Sequence, residues 1–541
     1  MVFIFRINPY TRPYEYFILL GILSTIVFAQ IFTIQDNRMF KILLFFEILL
    51  IPTLFTLTQQ LLYKTVLSRD PWLHWALTKG ILLSGGVYEI VPSPYVKMPN
   101  FHILIAIGSA LSGLNYKWAS FYIAGMGTLV LNMVVIYLIS VRLFNERHGF
   151  LSMLIIGITD NILDMNGKNI VPNTVGITII FLLLYLFLRH EFNNDKKINI
   201  IIITLVVGLV LMHTISYIFL LVQILILIII KLFYEGYNKK IKIYIIWSII
   251  MVILSVIEWA YISEVYFSSL VTLMNRILTY GIQPEKYFLD LTIPFWKVLM
   301  SRIGMIFFLG FAGINIIFII LKQREDKLKI ILSIITGFFI GSSFSFITPI
   351  LSGISHRFWY YSEVLGSIIV ASYLDLSWES QKGIFKKSVD FIFIFVITIL
   401  MLTASVSNDD NPLISEYTLR TGWFDSEIST VLFIKGTEVP IASDYDFASN
   451  INHFIISKEN GVNSTIDVVN PQSFDEILTE NMGRYAFILR KNMTQNRYFF
   501  LGGRWSQNPH APLEDELTLI IDKFSYVKSI IYSNNNVIIY H

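Results

Sequence analysis

Arg69-Asp70-Pro71-Trp72-Leu73-His74 stands where a long apolar run meets the first sizeable polar loop of the chain. A carboxylate at such a boundary has to be tolerated beside hydrocarbon, and acids kept there usually serve a function. Asp70 is therefore a candidate catalytic base of a membrane protein. The same residues also suit a plain helix start, with Asp70 as cap and Pro71 at the first helical position. The two readings are compatible, because a cap fixes the carboxylate and a general base has to be fixed.

Outward from this point the chain is apolar. Its 541 residues are 55% hydrophobic and 15% charged, with a mean hydropathy of +0.64. A water-soluble chain of this length could not hide so much apolar surface. A bilayer crossing takes about 20 apolar residues, and the candidate runs are 16–34, 42–62, 118–141, 150–162, 173–188, 198–214, 216–232, 242–260, 298–320, 329–350, 359–378 and 389–405. About twelve spans are expected, 150–162 being short for one, and 16–34 reads as a retained span rather than a cleaved leader. The aromatic content of 15% suits interfacial belts. There is no cysteine, so disulfides, thiolate metal sites and cysteine nucleophiles are excluded. A net charge of +3 with no basic tract outside short loops argues against a nucleic-acid partner.

Lys and Arg collect in alternate short loops, around Arg38 and Lys41, Arg142 and Arg147, Lys196 and Lys197, Lys239 to Lys242, Lys322 to Lys329, and Lys382 to Lys387. The positive-inside rule makes these cytoplasmic. Loop 63–117 and residues 406–541 then face outward, in a multi-pass plasma-membrane protein. Arg6 and Arg12 fall on the outer side too, in mild conflict with the rule. Within 63–117, Pro71 to Ser84 reads as an amphipathic helix closed by Gly85-Gly86, and Phe101 to Leu114 as a helix lying in the outer leaflet.

Composition changes near Ser405. Short β-type runs follow at Pro440–Ser443, Thr465–Val469 and Tyr485–Leu489, with a closing hairpin around Asn534-Asn535 and helical patterns at 473–481 and 514–524. That alternation predicts a small α/β domain over 406–541, after a transmembrane domain over 1–405. Asn463-Ser464-Thr465 and Asn492-Met493-Thr494 have the form of glycosylation sequons.

Further residues could carry chemistry. Lys97, in Tyr95-Val96-Lys97-Met98-Pro99-Asn100-Phe101-His102, could bind an anionic headgroup, or could be a snorkelling interfacial lysine. Asp160 and Asp164, four residues apart, could position an acceptor or hold a divalent cation, while Asn166-Gly167 beside them looks like a turn. Arg357, in Ser355-His356-Arg357-Phe358-Trp359-Tyr360-Tyr361, suits a phosphate at the bilayer surface, or an interfacial anchor. His213 and Glu258, each at a span end, are lesser candidates.

Together these stretches resemble the C-type membrane glycosyltransferases (GT-C fold), the superfamily of oligosaccharyltransferases and protein mannosyltransferases. Arg69 to His74 matches the first acidic motif, Tyr95 to Leu114 resembles the Lys-Pro segment of mannosyltransferase-like members, and Asp160 and Asp164 fall where the second acidic motif would lie. The tail from Ser405 to Pro412, with the domain after it, looks like prokaryotic and particularly archaeal members. The resemblance covers roughly 42–405.

It implies an all-α polytopic GT-C-like enzyme with a small extracytoplasmic α/β domain. Such an enzyme takes a sugar from a polyprenyl- or dolichyl-phosphate carrier in the membrane lipid and passes it to an external acceptor, be it protein, lipid or glycan. Asp70, with Asp160 and Asp164, would be catalytic. Lys97, Arg357, His74 and His102 would bind the substrate or its lipid phosphate. No cofactor is certain, a divalent cation (Mg or Mn) being the candidate. The Trp-Trp-Asp-Tyr-Gly acceptor motif of oligosaccharyltransferases is absent from 406–541, so transfer of one sugar is expected rather than of a whole oligosaccharide. The competing readings are a transporter or flippase for a lipid-linked substrate and a non-catalytic scaffold. Span interiors nearly free of charge, with acids at their ends, favour surface chemistry over passage.

Overall fold

A computed structural model describes residues 10–33, 37–87, 93–193, 196–264, 295–322, 325–347, 355–380, 384–404, 408, 410, 420–435, 439–458, 466–471, 484–490, 530–533 and 537–540, with isolated helical positions between 265 and 294. All twelve apolar runs fall on helices. These are α1 (Tyr14–Thr33), α2 (Arg38–Leu62), α3 (Asp70–Ser84), α4 (Asn100–Ser112), α5 (Tyr116–Leu143), α6 (Glu146–Ile158), α7 (Asp160–Gly167), α8 (Pro172–Asn193), α9 (Lys196–Val210), α10 (Thr214–Glu235), α11 (Lys239–Val256), α12 (Phe295–Lys322), α13 (Glu325–Ile347), α14 (Ser355–Ser380) and α15 (Ile384–Leu402). Among the described residues, six helices are long and apolar enough to cross a membrane, and shorter apolar helices accompany them. The run 150–162 is divided: α6 stops at Ile158, Thr159 is extended, and α7 starts at Asp160. The protein is thus a mostly helical integral-membrane protein with a small sheet near its C-terminus.

Packing follows the apolar patterns. α14 lies at the centre, against α6, α7, α12 and α13, while α1 pairs with α15 and α5 with α6. Their shared core runs from Val27 and Ile48 through Leu154 and Phe181 to Val364 and Leu374. Exposed Ile, Leu and Phe on α9, α10 and α11, such as Ile200, Ile229 and Ile253, form the apolar exterior that a bilayer solvates.

Of the two arginines in conflict with the charge rule, Arg6 lies outside the described residues and Arg12 is held inside the protein. It is buried, and its guanidinium holds Asp410 through Nε and Nη2, both at 2.9 Å, and donates to the Phe55 carbonyl at 3.0 Å. The pair also ties the start of α1 to the segment after α15.

The C-terminal region contains α16 (Asp425–Lys435), α17 (Tyr445–Lys458), β1 (Ile441–Ser443), β2 (Val468–Val469), β3 (Ala486–Arg490), β4 (Ile530–Ser533) and β5 (Val537–Tyr540). The strand order is β2-β1-β3-β5-β4, parallel on one side of β3 and antiparallel on the other. The expected β runs and hairpin are present. The sequons and the helical patterns at 473–481 and 514–524 lie outside the described residues. One core joins this sheet to the bundle, from Trp72, Phe101 and Tyr116 to Trp423, Phe447, Phe454 and Ile539. The loop between α2 and α5 and the C-terminal region therefore occupy one end of the molecule.

Candidate active site

α3 is set by its own sequence. Pro71 stands in its first turn, and Gly85, at φ +69°, closes it with its N–H on the Ile81 carbonyl. Asp70 is the first helical residue rather than the cap. Arg69 takes the cap position, and no side chain caps the helix. This corrects the expectation that Asp70 serves its own helix, and it leaves the carboxylate free for another partner. That partner is Arg357 at the start of α14, whose Nη2 lies 3.8 Å from Asp70 Oδ2. The Asp70 side chain is 44% exposed and that of Arg357 16%. The Arg357 Nε is buried without a hydrogen bond. A guanidinium with five donors, one long ion contact and an unused buried N–H has capacity left for another anion.

Tyr95 belongs to the same group. It feels both Asp70 and Arg357: burial pushes its phenol up, Arg357 pulls it back, and Asp70 pushes it up again. His74 follows Asp70 by one turn of α3. Its Nδ1 lies 2.9 Å from His102 Nε2 on α4, and both rings are buried. Burial first, with nearby Arg357 and His453 adding, holds the His74 imidazole down to about 3. A neutral imidazole whose Nδ1 is used by a neighbouring ring offers a phosphate no charge. Its geometry suits shaping the site instead, since it packs edge-on against Tyr95 with ring centroids 4.9 Å apart.

Lys97 lies on another flank. It is exposed, just after the short 3-10 turn Pro94–Val96, and its charge acts on Glu258 in the π-turn Ile257–Ile262 that follows α11. The carboxylate of Glu258 is buried, and neither oxygen has a hydrogen bond. The next residues dock on the α9–α10 turn, where Asn100 Nδ2 donates to the Gly208 carbonyl at 3.1 Å.

Asp160 and Asp164 sit deeper. Both are buried. Asn161 Nδ2 donates to Asp160 Oδ1 at 3.1 Å and to Glu363 Oε1 at 2.7 Å, bridging the carboxyls of α7 and α14. Asp164 meets Lys168 at 3.4 Å. Asn166 joins Thr128 and Tyr360 at 2.6 and 3.1 Å. Two close approaches admit α7: a Cβ on Gly125, in the π-turn Phe121–Met126 of α5, would stand 2.5 Å from the Asn166 carbonyl oxygen, and one on Gly167 would strike Thr56. Among the described residues no group of three metal-ligating side chains comes together.

The structure thus brings together Asp70, Arg357, His74 and His102, places Lys97 beside Glu258, and embeds Asp160 and Asp164 in protein contacts. Sequence reasoning missed Glu363 and Tyr95. Tyr95 lay within a stretch already singled out. Glu363 was detectable as an acid inside an apolar run.

Residues 96–259 match the sequence family described as dolichyl-phosphate-mannose-protein mannosyltransferase. No curated protein matches the chain by sequence. Among solved structures, the apo oligosaccharyltransferase of Archaeoglobus fulgidus is similar over 83% of this chain and 70% of its own, with a TM-score of 0.52 at 10% identity. The same enzyme tethered to an acceptor peptide containing the NVT sequon matches over 89% and 70%, with a TM-score of 0.50 at 9% identity. ArnT from Cupriavidus metallidurans bound to undecaprenyl phosphate covers 93% of this chain and 98% of its own, with a TM-score of 0.48 at 11% identity. The fold bears out the resemblance read from the motifs: the chain has the C-type fold of the archaeal oligosaccharyltransferase, and its stretch 96–259 matches a mannosyltransferase family.

Proposed function

We propose that the protein transfers a single sugar, mannose or a close relative, from a polyprenyl- or dolichyl-phosphate carrier to an acceptor at the outer membrane surface. The observation that carries this reading is the open ion pair Asp70–Arg357, with its exposed carboxylate and its partly unsatisfied guanidinium. Arg357 takes the donor phosphate and stabilises the charge that grows on it as the glycosidic bond breaks. Asp70 accepts the proton of the acceptor hydroxyl as the oxygen attacks the anomeric carbon. The carrier phosphate leaves, and direct displacement inverts the anomeric centre. Lys97, exposed on the flank, meets the phosphate from the membrane side. The neutral His74–His102 pair shapes the wall that holds Tyr95.

Asp160 keeps α7 fixed to α14 through Asn161 and Glu363, and with Asp164 it supports the acceptor side from within the protein. A divalent ion, if one is used, would draw on Asp160 or Asp164, whose carboxylates now serve protein partners. The C-terminal region, packed on α3, lies on the same outer face, and the enzyme sits in the plasma membrane.

The test measures binding of labelled dolichyl-phosphate-mannose to protein in nanodiscs. Arg357→Ala and Lys97→Ala should each weaken it about tenfold to hundredfold, the worth of one charge-assisted contact. Their losses should be less than additive if both address one phosphate. Unchanged binding in both would place the donor elsewhere.

A further inference from the structure

The approach to Asp70 is held from the C-terminal region at three points, Ser68, Arg69 and Trp72. Ser68 has φ +62°, a left-handed conformation unusual for a residue with a side chain, and its N–H donates to Thr421 Oγ1 at 2.7 Å. The Arg69 guanidinium lies over the Tyr445 ring, 4.1 Å from its centroid, and Nη2 donates to the Tyr445 hydroxyl. Trp72 packs on Trp423, ring centroids 4.3 Å apart.

The middle contact has a chemical consequence. Arg69 and Asp70 are neighbours in sequence, and a guanidinium released on its long flexible stem has the carboxylate within reach. Asp70 already has Arg357 at 3.8 Å, with Tyr95 facing both. Arg69 is faced instead by Tyr445 and by His453 of α17. A second cation within about 4–6 Å would favour the charged carboxylate and weaken it as a base.

We propose that Tyr445 is a positioning residue that sequesters the Arg69 guanidinium, so that Asp70 answers to Arg357 alone. This rests on the reading of Asp70 as the base. Tyr445 itself is fixed from behind: Asp444, just before it, is held by Arg490 at 2.8 and 2.6 Å and accepts the Phe447 N–H at the start of α17. The C-terminal region thereby decides which cation faces a carboxylate it does not contain.

The test compares mannose transfer from dolichyl-phosphate-mannose into membrane acceptors by wild type, Asp70→Asn, Tyr445→Ala, Tyr445→Phe, Arg69→Gln and Tyr445→Ala/Arg69→Gln, all in the full chain. Tyr445→Ala should lower kcat about tenfold, the scale on which an added cation weakens a carboxylate base, with the donor KM unchanged. Arg69→Gln alone should stay near wild type, and the double variant should recover most of the lost kcat. Tyr445→Phe, which keeps the ring and loses the hydroxyl, should fall in between, and it gives the reading if Tyr445→Ala does not fold. A double variant no faster than Tyr445→Ala, or a Tyr445→Ala enzyme at wild-type kcat, overturns the proposal while leaving the base in place. Full turnover by Asp70→Asn overturns both.

Discussion

Two sets of ion pairs occupy the same end of the molecule and are built in opposite ways. In the C-terminal region Arg420 grips Glu427 through two contacts of 2.8 and 2.5 Å, with both side chains fully buried. Arg490 adds to Glu427 at 3.7 Å and closes on Asp444. Burial alone would push the Glu427 carboxyl up, but Arg420 and then Arg490 hold it below the usual range. At the rim, Asp70 and Arg357 meet at 3.8 Å, partly exposed, with a buried guanidinium N–H left over. Each set leaves one guanidinium Nε buried without a hydrogen bond, on Arg420 and on Arg357, so what separates them is access: the closed network is sealed inside protein, whereas the open pair can be reached by an anion and a hydroxyl. The buried carboxylates of α7 belong with the closed set.

The comparison breaks first at the closed network. Glu427→Ala leaves two buried arginines short of a carboxylate, and removing one member of a buried pair costs about 3–5 kcal/mol. The C-terminal region should then become protease-sensitive at a temperature where wild type resists. Wild-type resistance would mean that burial there carries no structural weight.

The next effect is about a hundredfold or less. Arg357→Lys keeps the charge but loses the planar fork, so donor affinity should recover only part of what Arg357→Ala loses. Full recovery would reduce Arg357 to a point charge and blur the distinction between the two sets.

A third effect is in pH. His74 is held down to about 3 against an ordinary value of 6.5. Between those values the unfolded loop binds a proton that the folded loop refuses. The folded loop keeps its full stability above about pH 6.5 and loses it as pH falls, by about 1.4 kcal/mol per pH unit for one proton. Proteolytic opening of 63–117 should therefore rise below pH 6.5 in wild type, and more weakly in His74→Gln. Equal pH responses in the two would detach His74 from the stability of this loop.

Much of this was legible in the sequence. The apolar runs marked the helices because a bilayer-exposed helix must be apolar over its length. α3 was readable from Pro71 and Gly85-Gly86 because helix ends are set locally. The β runs near 441, 468, 486 and 537 stood out against a polar background. α16 and α17 were missed, since their sequences mix polar and apolar residues and gain stability from packing on the sheet and on α3. The site was readable residue by residue but not as an assembly. Asp70 and Arg357 each carried a local signal, whereas the pairing of Arg12 with Asp410 and of Arg69 with Tyr445 depends on contacts distant in sequence.

The account stands most directly on Asp70→Asn, measured for both turnover and donor binding. Asn is nearly the same shape, and Asp70 makes no capping bond that folding would miss. The account predicts that mannose transfer falls by about 10²-fold or more, as for a lost general base, while dolichyl-phosphate-mannose binds at least as tightly because Arg357 loses its competing carboxylate. Near-normal transfer, or a donor affinity that falls along with turnover, would contradict it.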